Sequence, residues 1–348
     1  MKLVSTTLTG SCEDIIGDAL RSVVEWVDAC LVIDTGVTDK TLQVARSVAG
    51  DKYVERKFAW ISDFAAARNF ALDAAHEWGA DWAITVDTDE RIDLRGELIH
   101  AEIEAATEGV LMVTDETNAY SKERLFRLPA KARFSGPTHE SFPSYKVGSR
   151  VLEKARFIEL PKKPDALRAK FERDAKILGK HTKANPKDPR WFYYLGDALQ
   201  NLGRFEEAIA AYKSCADLRG WNEESAWACF RAAECFIQLK RFNDAVEVCA
   251  TGLSRHAGIA ELAWLAGFAS WQAGRPDQAA FWARLAIPMG LFRGRGQDAK
   301  RIGFRNVSAL YEGPYDVLRF ALRAMGDTAG ADEAERLYQE AIRARSQG

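Results

Sequence analysis

A five-residue pattern that returns along the second half of the chain restricts its fold more than any other feature. Arg204-Phe205-Glu206-Glu207-Ala208 recurs as Arg241-Phe242-Asn243-Asp244-Ala245 and as Arg275-Pro276-Asp277-Gln278-Ala279, at spacings of 37 and 34 residues. A site carrying a small residue precedes each copy at the same spacings: Leu195-Gly196, Ala232-Ala233 and Ala266-Gly267. Between each site and its motif lies a turn, at Leu202-Gly203, Leu239-Lys240 and Ala273-Gly274. A period of this length marks one supersecondary unit per repeat. Such a unit cannot cover its own apolar face, so about three must stack. Small residues let neighbouring helices approach closely. Trp191, Tyr194, Phe205, Tyr212, Trp227, Phe230, Phe236 and Trp264 fill the spaces between. This aromatic stripe therefore reads as core rather than as a ligand site.

The pattern resembles tetratricopeptide repeats, antiparallel helix pairs with a period of about 34 residues. A final pair is expected near residues 306–325 and 331–345, its last helix opening around Ala331-Asp332-Glu333-Ala334. The resemblance implies a face that binds a peptide or partner protein. One stretch breaks the rhythm. From Phe292 to Arg301, Gly294 and Gly296 (with Gly290 just before) argue against a continuous helix. Arg293, Arg295, Lys300 and Arg301 make this stretch either a plain surface loop or one that holds an anion.

The chain has 348 residues, enough for about two domains. Its net charge of -2 is a sum of unlike parts. Residues 1–160 carry 19 Lys+Arg against 27 Asp+Glu, residues 161–190 carry 10 against 4, and residues 191–348 carry 19 of each. An acidic region, a basic joint and a balanced region place the boundary near residue 165: a first domain over 1–165, then a basic connector helix with the repeats over 166–348. The joint is either a solvated helix face or a contact for an anionic donor or acceptor. A hydrophobic content of 47% supports real cores and excludes wholesale disorder. No apolar run approaches the ~18 residues of a membrane span. Met1-Lys2-Leu3-Val4-Ser5-Thr6-Thr7 lacks the apolar core of a signal peptide. The six cysteines form no C-x-x-C pair and lie in apolar runs, as small buried hydrophobes do. Neither a disulfide framework nor a zinc site is expected, and the expected compartment is the cytoplasm.

The first domain alternates strands with helices. Strands are predicted at Leu3–Leu8, Cys30–Ile33, near Tyr53-Val54-Glu55, and at Trp82–Val86. Ser11-Cys12-Glu13-Asp14 resembles a capping box ahead of a helix through Ile15, Ala19, Val23 and Val27. Further helices are predicted from Thr38 to Val48 and, capped by Asp63, from Phe64 to Trp78. Continuous apolar strands in this alternation predict a parallel sheet covered on both faces. Ligands of such sheets sit beyond the carboxyl ends of the strands, where Asp34 and the Asp87/Asp89 pair fall. Two aspartates one residue apart can direct oxygens at one hard cation, Mg²⁺ or Mn²⁺, which shares its shell with phosphates. Aspartate is also a common turn residue, so this spacing is weak on its own. No glycine-rich phosphate loop is present. A bound diphosphate would therefore need a metal, or Arg and Lys, to neutralise it.

The residues Val32-Ile33-Asp34-Thr35-Gly36-Val37-Thr38-Asp39-Lys40-Thr41 resemble the nucleotide-binding segment of family 2 glycosyltransferases. So do the stretch from Trp60 to Leu72, which contains Arg68-Asn69, and Trp82 to Glu90. Arg124-Leu125-Phe126-Arg127 and Phe134-Ser135-Gly136-Pro137-Thr138-His139-Glu140 complete the set. The resemblance implies an α/β GT-A (Rossmann-like) nucleotide-sugar domain, followed here by an all-α tetratricopeptide-like helical repeat domain. It also implies a nucleotide-diphosphate sugar donor, with a UDP-sugar as first expectation, a divalent cation (Mn²⁺ or Mg²⁺), and inversion at the anomeric carbon.

On this reading Thr7, Asp34, Arg68, Asn69, Asp87, Arg124 and Arg127 bind the donor, and Asp87, Asp89 and His139 hold the metal. Glu140 is the general base, with His139 beside it. Arg124 and Arg127 either clamp phosphate or pair with acidic groups, and Glu90 caps the turn after Asp89. Many relatives have Asp-Asp-Gly-Ser where this chain has Asp34-Thr35-Gly36-Val37, so the nucleoside's base stays open. A peptide or protein is the first acceptor expected, and a glycan or modified DNA the alternative; the global charge does not favour nucleic acid. A sugar nucleotidyltransferase and a non-catalytic repeat scaffold are the competing functions.

Overall fold

The computed structural model describes residues 1–94, 99–294 and 304–346. The chain divides into two compact units, Met1–Pro164 and Asp165–Gly348.

In the first unit, β1 (Leu3–Thr9), β2 (Ala29–Asp34), β3 (Tyr53–Lys57) and β4 (Trp82–Thr85) are parallel neighbours. Helices α1 (Ile16–Arg21), α2 (Thr41–Ala49) and α3 (Phe64–Glu77) connect them. Side chains alternate across these strands. Leu3, Cys30, Val32, Trp82 and Ile84 pack on one face with Ile16 and Leu20 of α1. Val4, Leu31, Ile33 and Ala83 pack on the other face with Ala71, Leu72 and Ala75 of α3. Burial on both faces explains the unbroken apolar runs.

The expectation of a parallel sheet holds for these four strands only. β5 (Glu90–Leu94), β6 (Val110–Asp115), β7 (Ser121–Arg127) and β8 (Ser149–Glu159) extend it, with α4 (Ile99–Glu104) after β5. The order is β3-β2-β1-β4-β7-β6-β8-β5. β7 runs antiparallel to both β4 and β6, β6 is parallel to β8, and β5 is antiparallel to β8. Nothing in the local pattern of residues 110–159 distinguishes these partners, because pairing direction is set by the chain's return path.

The expected capping box is also corrected. Helix α1 begins at Ile16 with no side-chain cap. Ser11 instead accepts from the Thr38 amide at 2.9 Å, and Glu13 from the Lys40 amide at 2.9 Å. Residues 11–13 thereby tie the loop after β1 to the loop after β2. Asp63 does cap α3, accepting from the Ala66 amide at 2.9 Å.

The second unit is helical. The basic joint becomes α5 (Pro164–Ala184), which begins at the last residue of the first unit. It carries a buried Asp174 paired with Lys170 and Arg173. Antiparallel pairs follow: α6 (Pro189–Asn201) with α7 (Phe205–Leu218), α8 (Asn222–Gln238) with α9 (Phe242–Arg255), and α10 (Ala260–Gln272) with α11 (Pro276–Ala286). A last pair, α13 (Gly313–Ala324) and α14 (Thr328–Arg345), comes after the short α12 (Val307–Leu310). The repeat motifs open α7, α9 and α11, and the small residues lie where paired helices touch. A Cβ on Gly196 would come within 2.7 Å of the Tyr212 ring. Each turn passes through a left-handed residue: Gly203 (φ 74°), Lys240 (φ 58°) and Gly274 (φ 72°). Of the basic stretch Phe292–Arg301, Arg295 to Arg301 lie outside the described residues. Arg293 donates to Glu340 at 2.7 Å.

Five of the six cysteines are buried. Burial pushes the Cys229 thiol up to about 11 and that of Cys235 to about 12, so neither is a ready thiolate.

Candidate functional site

The parallel strands end together, and their ends carry the polar residues singled out by sequence. Asp34 closes β2. Its Oδ1 accepts from the amides of Gly36 (2.9 Å) and Val37 (2.8 Å), so it builds the turn that shapes the crevice. Thr7 lies on β1 beside Val32, fully buried, and among the described residues its hydroxyl has no hydrogen-bond partner.

Asp87 follows β4 and sits between two guanidinium groups. Arg68 of α3 reaches Oδ1 at 3.0 Å and Arg124 of β7 reaches Oδ2 at 3.3 Å. Burial raises the carboxyl's pKa, but the two arginines outweigh it and hold the group at about 2. Arg68 is itself shared, because its Nε donates to Glu140. Burial lowers its pKa, but the two carboxylates override this and keep the cation charged. Glu140 belongs to the loop after Phe134, in which His139 adopts a left-handed backbone with φ 48°. The Pro137 carbonyl accepts from the Phe64 amide at 2.8 Å, which anchors this loop to the start of α3.

The structure thus brings Arg68, Asp87, Arg124 and Glu140 into one connected group. It places other expected residues differently. Asn69 commits both ends of its amide to the backbone of Phe134, at 3.0 and 2.9 Å. That contact positions the 134–140 loop. Arg127 also stands apart from the connected group. It pairs with Trp82 at the opposite end of β4, about 15 Å along the strand from Asp87. Its guanidinium covers the Trp82 ring at 4.6 Å and donates to the carbonyls of Ala106 and Glu108.

Asp89 is turned away from the arginines. One oxygen, Oδ2, is held by Lys162, and its backbone carbonyl accepts from Leu160 at 2.8 Å. No group of three or more metal-ligating side chains gathers among the described residues. The donors present are still of the right kind for Mg²⁺ or Mn²⁺, being carboxylate oxygens, and Asp89 keeps Oδ1 clear of Lys162.

Glu90, Lys122 and Lys162 take parts that the sequence reading does not give them. Glu90 is 2% exposed and its Oε1 accepts from both Arg124 and Lys122. Lys122 also holds Glu159. The available signal was Lys122-x-Arg124, two cations close together on one strand. Lys162 lay inside the basic joint, where its charge was counted but not its direction.

Comparison with known proteins fits this geometry. Residues 7–163 match the family described as glycosyl transferase family 2, and residues 203–263 match the tetratricopeptide repeat. The SPbeta prophage-derived glycosyltransferase SunS of Bacillus subtilis is 23% identical over 244 residues, covering 66% of this chain and 56% of that protein. A TPR repeat-containing protein of Synechococcus elongatus is 36% identical over 138 residues, covering 36% of this chain and 32% of that one. The chain thus spans between a third and just over half of the length of these curated relatives. Among solved structures, MamA 41-end from Desulfovibrio magneticus RS-1 aligns at 19% identity with a TM-score of 0.39, covering 51% of this chain and 88% of that one. The first unit thus carries the stretch that matches glycosyl transferase family 2, and the second the stretch that matches the tetratricopeptide repeat.

Proposed function

We propose that the chain is a metal-dependent, inverting glycosyltransferase acting in the cytoplasm. It moves a sugar from a nucleotide-diphosphate donor to a hydroxyl or thiol of a peptide or protein that the helical repeats bind. The observation that carries this reading is Arg68 bridging Asp87 and Glu140 beyond the carboxyl ends of parallel strands, within the stretch that matches family 2.

Asp34 would contact the nucleoside, with Thr7 beneath it on β1 as a further donor-binding residue. Arg68 and Arg124 keep Asp87 ionised and oriented, and supply cationic donors for phosphate oxygens. Asp89 and Asp87 would hold Mg²⁺ or Mn²⁺, and His139 would have to move in to join them as the third ligand. When bound, the ion supplies charge neutralisation for the departing diphosphate. Glu140 takes the acceptor's proton as its oxygen or sulfur attacks the anomeric carbon and the bond to the diphosphate breaks. Attack opposite the leaving group inverts the centre. Arg68 Nε donates to Glu140 and so fixes where its carboxylate lies.

The test combines a panel of UDP-, GDP-, dTDP- and CMP-sugars with Mn²⁺ and measures the released nucleotide. The expected product is a nucleoside diphosphate. Asp89→Ala is expected to abolish its release while circular dichroism remains that of the wild type. Full activity in that variant, or in excess chelator, refutes the metal role, and release of pyrophosphate refutes glycosyl transfer.

A further inference from the structure

Seven side chains form one chain of alternating sign: Glu159, Lys122, Glu90, Arg124, Asp87, Arg68 and Glu140. Every link is an ion pair in the structure. The last three members lie where the proposed transfer occurs. Glu90 is the most buried member, three links away from Arg68, on the first residue of β5.

Stability alone explains this arrangement poorly. Taking charges out of water costs more than an imperfect pairing returns, and apolar residues of equal volume usually serve a core as well or better. The pairing here is imperfect. Glu90 Oε2 and Arg124 Nε are buried and have no hydrogen-bond partner among the described residues. Each such orphan costs about 1–3 kcal/mol. What the arrangement does provide is direction. Arg124 is held from two sides, by Glu90 and by Asp87, and without the first carboxylate it has only the second. Its guanidinium would then move onto Asp87 and compete there with Arg68.

We propose that Glu90 is a positioning residue of the transfer site, acting through Arg124 on the orientation of Asp87 toward the donor's diphosphate. The proposal rests on the glycosyltransferase reading and adds a residue that touches neither substrate. Glu90→Gln keeps the shape and removes the charge. Glu90→Asp keeps the charge and withdraws the carboxylate by one methylene. Calorimetric titration with UDP, GDP and dTDP in Mg²⁺ gives both the affinity and the number of sites per chain.

With the nucleotide that binds the wild type, Glu90→Gln is expected to raise Kd about tenfold, the size of one weakened charge-assisted contact, with site number unchanged. Glu90→Asp is expected to fall between the two. A purely structural role would lower the number of competent sites and leave Kd alone. That result, or wild-type Kd in a folded Glu90→Asp should Glu90→Gln fail to fold, overturns the proposal. Failure of the wild type to bind any of the three overturns the glycosyltransferase reading, and this proposal with it.

Discussion

Replacing Asp87 by asparagine tests the electrostatics of the site without changing its shape. In the folded chain burial pushes the carboxyl up, while Arg68 at 3.0 Å and Arg124 at 3.3 Å pull it down further, to about 2 from 3.8. Asp87 is only 26% exposed, so solvent screens these pairs weakly. At about 1.4 kcal/mol per pKa unit, the difference corresponds to about 2–3 kcal/mol of folding stability when the group is ionised in both states. The folded pKa is the depressed one, so this stability is present above the unfolded value near 3.8 and is lost as pH falls through about 2. Asparagine resembles the protonated carboxyl at every pH. Wild type should therefore exceed Asp87→Asn by about 2–3 kcal/mol at pH 7, or about 5–10 °C in Tm for a unit of this size. The gap should shrink to about half by pH 3. Urea unfolding followed by near-ultraviolet circular dichroism, at several pH values from 7 to 3, measures both. No gap at neutral pH, or one that persists undiminished at pH 3, would refute the claim that the two arginines set this carboxylate.

Two further outcomes test the packing and the assignment of Arg127. Gly196→Ala gains about 1 kcal/mol of helix propensity, but its Cβ would lie 2.7 Å from the ring of the fully buried Tyr212. Overpacking of that kind costs about 1–3 kcal/mol, so a lower Tm is expected and a higher one contradicts the close approach. Arg127→Met strips donors from the carbonyls of Ala106 and Glu108 and should cost about 1–3 kcal/mol in chemical denaturation. Its Kd for a nucleoside diphosphate should match the wild type, and a weakened Kd would return Arg127 to the donor site.

The helical array was legible because its determinants are local and repeated. Phe205 and Phe242 recur at the same helix position, and a left-handed turn residue recurs three times, once as Lys240 rather than glycine. The parallel half of the sheet was legible for the same reason: residues 3–9, 29–34 and 82–85 are buried on both faces, and only β-formers at such positions leave a continuous apolar run. The antiparallel half was not. Strand β7 enters the sheet beside β4 through pairs such as Ala83 with Phe126, which join residues more than forty positions apart and leave no periodic trace.

The site divides along the same line, and the reason is geometric. Motif spacing fixes where along a strand a residue falls, so Asp34 and Asp87 were placed at strand ends without knowledge of any contact. It does not fix what a long side chain reaches. Arg124 and Arg127 are three residues apart on one strand and looked equivalent. The register of β7 against β6 shifts at Arg124, so separation along the strand does not tell the two apart: one lies against Asp87 and Glu90 and the other over Trp82. Lys122 and Arg124 both reach Glu90, and a buried region carrying two cations requires buried anions nearby. The carboxylates that answer this requirement, Glu90 and Asp87, are three residues apart on the chain and converge on a single guanidinium. Charge balance in a buried region therefore identifies Glu90 as part of the site, where a motif ending at Asp89 assigns it only to the turn.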